Sequence, residues 1–233
     1  MSSQGGRPRL AELIDNTGLI DNTGLRVSPG ALATSTGSGA DDPFVFEPER
    51  AIGVLATAIA RVHAVSWSDL DRGDQTGTNG PALNPDRESL VLGIDDLVLR
   101  AKRTLAVPES EQRPLSASYS HMSRERLVAI LTDGAQAVRE RCGDPVLNQG
   151  RPTLGNLRFA GVELLGFADW SEARLADPYL DLAIACRDIL SMFGAPPIRV
   201  LLEQYSTEPL DPVRLDWFTL ATELAPRDPA QGH

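Results

Sequence analysis

The chain has 233 residues, 42% of them hydrophobic and 23% charged, with 32 acidic against 22 basic side chains and a formal net charge of −10. That length can bury a core as one domain or as two closely joined lobes, while the acidic balance disfavours nucleic acid and anionic membranes, which need a cationic footprint. No apolar run approaches a membrane span and Met1 to Gly6 carries no apolar leader core, so a cytoplasmic protein without membrane insertion is expected.

In chain order, Leu13-Ile14-Asp15-Asn16-Thr17-Gly18 is repeated at once as Leu19-Ile20-Asp21-Asn22-Thr23-Gly24. Each copy joins an apolar pair to a turn signal, which predicts a small antiparallel sheet over residues 10–33. Calcium is not expected there, because the repeat lacks the loop length and closing glutamate of an EF-hand. Ala33 to Asp42 is small, polar and Gly-rich and reads as a loop. Its glycines do not have a phosphate-binding order. Pro48, then Ile52, Leu55, Ile59, Val62 and Val65, predict an amphipathic helix over 48–65. His63, late in that helix, reads as a packed or capping residue.

Ser66 to Pro85 reads as a long loop anchored at Trp67, and helices follow at about 86–105 and 123–141. Cys142 and Cys186 lack metal-ligand spacing and read as reduced packing residues. Val146-Leu147-Asn148, Leu157-Arg158-Phe159 and Glu163 to Phe167 alternate like short strands, with a turn at Ala160-Gly161. Asp177-Pro178 marks a helix start, with Asp at the cap and Pro at the first helical position. Two more helices, at 197–205 and 211–224, precede an end at 227–233 that reads as frayed. Trp217 and Phe218 in the second of them read as core.

The residues that carry chemistry are Gln149-Gly150-Arg151-Pro152-Thr153-Leu154-Gly155-Asn156, then Phe167-Ala168-Asp169-Trp170, then Ala176-Asp177-Pro178-Tyr179-Leu180-Asp181-Leu182-Ala183. Their order resembles the aminoglycoside phosphotransferase family, small-molecule kinases that read roughly His-Gly-Asp-x-x-x-x-Asn, a hairpin, Ile/Val-Asp-Trp, and Gly-Asp-Pro-x-x-Asp-Leu-Ala. The resemblance is strongest over 145–190 and extends back to residue 48. It implies an α+β, protein-kinase-like fold, with shortened N-lobe strands and a hinge loop in 1–46, a mainly helical C-lobe in 47–226 and a flexible tail in 227–233.

The resemblance makes Asn156 and Asp169 candidate Mg²⁺ ligands, and both are hard oxygen donors of the kind that ion takes. It gives Asp177 and Asp181 a supporting role, Asp181 bracing the catalytic-type loop through its backbone. Arg151 stands at the family's catalytic aspartate. A guanidinium stays protonated and offers only donors, so it can hold a phosphate but cannot serve as the base. Asp144 is carried away by the strand that follows it, and Glu172, just after Trp170, can approach the site although nothing in its spacing requires it. Losing the base costs about a hundredfold to ten-thousandfold in rate.

Lys102 is the one lysine in the sequence, and its place in chain order assigns it to the large lobe. Kinases of this class take their phosphate-gripping lysine from an N-lobe strand, so that lobe is expected to be truncated as well as degenerate. The expected function is a degenerate pseudo-kinase working as a binding or regulatory module. One alternative is an active phosphotransferase using ATP and Mg²⁺ on a small-molecule hydroxyl, with another group as the base. A second alternative is an anion- or phosphometabolite-binding protein that uses Arg151. The acidic surface suits a cationic acceptor and equally serves solubility. The small-molecule or protein partner is not specified by any motif.

Overall fold

The computed structural model describes three two-residue strands and residues 48–65, 90–160 and 163–226. In chain order the elements are β1 (Leu25–Arg26), β2 (Ala33–Thr34), β3 (Val45–Phe46), α1 (Pro48–His63), β4 (Val91–Leu92), α2 (Ile94–Thr104), α3 (Arg124–Arg139), β5 (Val146–Asn148), β6 (Leu157–Ala160), β7 (Glu163–Phe167), β8 (Arg174–Ala176), α4 (Tyr179–Phe193), α5 (Ile198–Tyr205) and α6 (Pro212–Glu223). The tandem Asp-Asn-Thr-Gly turns, the loop from Ser66 to Pro85 and the end at 227–233 lie outside the described residues. This is a mixed α+β fold with small sheets and mostly helical content.

The chain divides into two compact units, one made of Met1–Val91 with Pro145–Pro209 and the other of Leu92–Asp144 with Leu210–His233. Residues 48–226 contribute to both.

In the first unit α1 packs on α5, α4 and β5. Its apolar stripe is fully withdrawn from water at Ile52, Leu55 and Ile59, each such side chain contributing about 1.5–3 kcal/mol relative to exposure. Opposite them Leu182 and Ile189 of α4 and Leu201 of α5 are equally buried. β5 and β8 pair antiparallel, Val146 facing Ala176 and Asn148 facing Arg174. β6 and β7 form the expected hairpin, Leu157 opposite Phe167 and Ala160 opposite Glu163, with a register shift after Arg158.

The sheet expected over residues 10–33 differs in the part that is described. Leu25 and Arg26 pair with Leu164 and Glu163 of β7, and Ala33–Thr34 pairs with β3. An edge strand's unpaired N–H and C=O groups are a template for any nearby extended segment. Here β7 offers that edge to β1.

The second unit is built on α2, α3 and α6, which pack on one another. Trp217 Nε1 donates to the Leu131 carbonyl at 2.8 Å, and the Trp217 ring meets Phe218 edge-on at 5.1 Å. Asp211 caps α6, its carboxylate accepting from Val213 N, with Pro212 at the start. α2 begins at Ile94 with Gly93 at its N-cap, and residues 86–89, where the expected helix starts, lie outside the described residues. Asp96 turns back to accept the Gly93 N–H at 3.0 Å, closing the first turn. The apolar Val91 and Leu92, which fit a helical period, are a short strand instead. Among the described residues no helix is long and apolar enough to cross a membrane.

Candidate active site

β5 delivers Gln149, Gly150 and Arg151 to the start of a loop that Asp181 grips from α4. The Asp181 carboxylate is fully buried and accepts the Gln149 N–H at 2.7 Å and the Gly150 N–H at 2.9 Å. Its Oδ2 also lies 3.3 Å from His63 Nε2, whose other ring nitrogen meets the Tyr205 hydroxyl at 2.8 Å. His63 is therefore tied to the loop brace rather than exposed for chemistry, its side chain being 5% exposed. Asn148, wholly buried, donates to the Ala176 carbonyl at 3.0 Å and accepts from Asp181 N at 3.3 Å. Asp177 accepts the Tyr179 N–H at 3.0 Å, so it acts as the cap expected for α4, although the helix proper starts one residue later than expected.

The loop's second anchor is the side chain of Gln149, again fully buried. Its Oε1 accepts the Arg151 N–H at 2.9 Å, and its Nε2 donates to the Asp169 carbonyl. One amide thus holds the loop and the Asp169 turn in register. Gly150 has φ +87°, and a Cβ built on it would lie 2.0 Å from the Glu172 carbonyl oxygen. The two strands of chain touch backbone to backbone there, which only glycine permits.

Asn156 and Asp169 are brought together. Asn156 Nδ2 donates to the Arg151 carbonyl at 3.3 Å and to the Asp169 carbonyl at 3.4 Å, and the Asn156 carbonyl accepts from Ala168 N at 2.8 Å. That orientation, fixed by the bonds of the amide nitrogen, leaves Oδ1 without a hydrogen bond among the described residues. Asp169 Oδ1 accepts the Ser171 N–H at 2.8 Å. This bond, with the Ser171 side chain and a smaller pull from Arg151, holds the carboxyl below the usual carboxylate range. It stays ionised and keeps further lone pairs.

These donors fit Mg²⁺, which takes one or two protein oxygens and completes its octahedron with water and phosphate. No cluster of three or more His, Cys, Asp or Glu able to hold a metal exists among the described residues. Asn156 and Asp169 would hold the ion, and its charge would neutralise phosphate oxygens.

The Arg151 guanidinium makes no hydrogen bond or ion pair among the described residues. It acts through space on two carboxylates, Asp169 and Asp188, lowering both. Asp188, two turns past Asp181 on α4, accepts the Leu154 N–H at 3.3 Å. Burial nonetheless pushes its carboxyl up, outweighing the Leu154 bond and the pulls of Arg187 and Arg151. Glu172 is paired with Arg174.

A model of the phosphotransferase enzyme family, APH, matches residues 36–218. The chain belongs to that family. Among solved structures it is similar to aminoglycoside phosphotransferase APH(3'')-Id from Streptomyces rimosus, solved with ADP and streptomycin, at 19% identity and TM-score 0.54 over 75% of this chain and 62% of that one. It is also similar to an aminoglycoside-3'-phosphotransferase of type VIII, at 20% identity and TM-score 0.54 over 92% and 79%. A third is a choline/ethanolamine kinase family protein from Mesorhizobium loti, at 12% identity and TM-score 0.51 over 93% and 68%. These likenesses establish the kinase-like APH fold. The match spans about three fifths of the Streptomyces rimosus chain. No curated protein matches in sequence.

Within this family member, the motif residues Arg151, Asn156, Asp169, Asp177 and Asp181 all lie in the first unit. The phosphotransferase motif pointed to five of the residues at the site and missed three. Gln149, where the family reads His, was legible as a departure but not as an amide bridge. Asn148 looked like one more strand residue, and Asp188 like one more polar position on a helix.

Proposed function

We propose that this APH-family chain is a degenerate phosphotransferase with little or no phosphoryl transfer, serving in the cytoplasm as a binding or regulatory module. The observation that carries the reading is Arg151. The group at the base position can only donate hydrogen bonds, while the elements around it are intact: the Asp181 grip, the Gln149 bridge and the Asn156–Asp169 pair. The fold has kept its loop and lost the proton acceptor that the loop exists to present.

Turnover tests this. The acceptors are streptomycin, bound in the Streptomyces rimosus structure, and choline, after the Mesorhizobium loti relative. With ATP and Mg²⁺, the chain should phosphorylate either one no faster than about a hundredth of a competent kinase. Rapid phosphorylation of either would refute the reading.

One observation favours a second reading. The Arg151 guanidinium makes no hydrogen bond or ion pair among the described residues, and a guanidinium matches phosphate bidentately. On this reading the site holds a phosphorylated small molecule without metal. Pyrophosphate or a sugar phosphate in EDTA should then raise the melting temperature of the wild type by mass action. The Arg151→Ala variant should not respond, and equal shifts in both proteins would exclude Arg151 as the clamp.

A further inference from the structure

We infer that Asp188 is the proton acceptor for whatever phosphoryl transfer this site retains, replacing from α4 the acid that Arg151 displaced from the loop. The inference concerns the slow transfer that the binding-module reading leaves, and rests on that reading only for the intact loop and metal-ligand pair.

Among the described residues of the first unit, each acid that approaches the loop has a defined commitment, and one is left with capacity. Asp181 is saturated by Gln149 N, Gly150 N and His63. Asp177 is buried at the start of α4, holding Tyr179 N. Glu172 pairs with Arg174. Asp169 is held low by Ser171 and is a metal-ligand type, so it is a weak base. Asp188 remains. One of its oxygens is pinned to the loop at Leu154, between Arg151 and Asn156, and the other makes no hydrogen bond among the described residues. It is half-buried, and burial lifts its carboxyl toward the range of a useful general base.

Arg151 is close enough to bias Asp188 electrostatically, which ties the acid to the motif's base position. The charged groups acting on it are Arg151 from the loop and Arg187 from its own helix. In the step, Asp188 takes the proton of an attacking hydroxyl or water. The freed oxygen bonds to the γ-phosphorus of a nucleoside triphosphate, and the bond from that phosphorus to the β,γ-bridging oxygen breaks. Its electron pair leaves on the diphosphate.

Hydrolysis of millimolar MgATP by the full chain tests the inference without knowledge of the natural acceptor. Slow wild-type hydrolysis should fall at least about tenfold in Asp188→Asn, the low end for a lost general base being larger still. The variant's amide oxygen can still accept the Leu154 N–H, so its melting temperature should hold. The wild-type rate should fall on the acid side with a midpoint above that of a model aspartate, and Asp188→Asn should lose that limb. Asp188→Glu keeps a carboxylate and should move the limb without abolishing it, so the profile decides even where Asp188→Asn fails to fold.

No wild-type hydrolysis above buffer, or an Asp188→Asn rate and profile equal to wild type, overturns the inference and leaves the binding-module reading standing. Fast wild-type turnover that Asp188→Asn abolishes does the reverse.

Discussion

Asp181 should be the residue on which the site's stability depends, and two substitutions separate its contributions. Asp181→Asn preserves volume and leaves one oxygen to accept a loop N–H. His63 can change tautomer, with Nε2 accepting from the new amide and Nδ1–H donating to Tyr205, so the His63 side is rescued. One of the Gln149 and Gly150 N–H groups then faces an NH₂ and is left unsatisfied, a cost of about 1–3 kcal/mol for a buried donor.

Asp181→Ala removes every acceptor at a position with no solvent access, strands both N–H groups and His63, and leaves a cavity. About 3–5 kcal/mol is expected, the range for breaking a buried charged network. Against a typical total of about 5–15 kcal/mol, the second variant approaches unfolding. Urea denaturation midpoints at constant m-value measure both. An Asp181→Ala cost below about 1 kcal/mol, or an Asp181→Asn cost equal to it, would show that the loop does not depend on this carboxylate.

Gly150→Ala should destabilise by about 2–5 kcal/mol, combining positive-φ strain with backbone overpacking against Glu172; a thermal melt unchanged from wild type would refute the close approach. Arg151→Asp should not by itself yield a competent kinase. It withdraws the one charge that lowers both Asp169 and Asp188 and puts a carboxylate beside them, raising the pKa of at least one, while Lys102 remains the sequence's sole lysine. A large gain in ATP-dependent phosphorylation in that variant would show that the base was the only defect. Cys186, buried and with its thiol pushed up to about 12, should resist alkylation in the folded protein at pH 8. Rapid labelling of Cys186 followed by mass spectrometry would contradict its burial. The Asp169 carboxyl is lowered in the folded state, so its contribution is present above the ordinary carboxylate pKa and fades only as pH falls through the lowered value. NMR titration of its side chain should therefore place its midpoint below that of a model aspartate.

Local chemistry settled much of this protein from its sequence. Pro48 and the stripe through Ile52, Leu55 and Ile59 define α1, because a helix's period and start signals lie within one or two turns of each other. Asp177 as a cap and the hairpin of β6 and β7 are short-range in the same way. The order Gln149-Gly150-Arg151, Asn156, Asp169, Asp181 was enough to name the fold.

Tertiary structure decided what depends on chain path. Nothing near His63 indicates that it will meet Asp181, 118 positions away. Nothing in Gln149 indicates that its amide will span Arg151 N and Asp169 O, and the edge taken by β1 is set by which strand arrives beside β7. Asp188 has the same cause: on a helix wheel it is one polar position among several, and only the packing of the 149–156 loop against α4 brings it to Leu154 and into the field of Arg151.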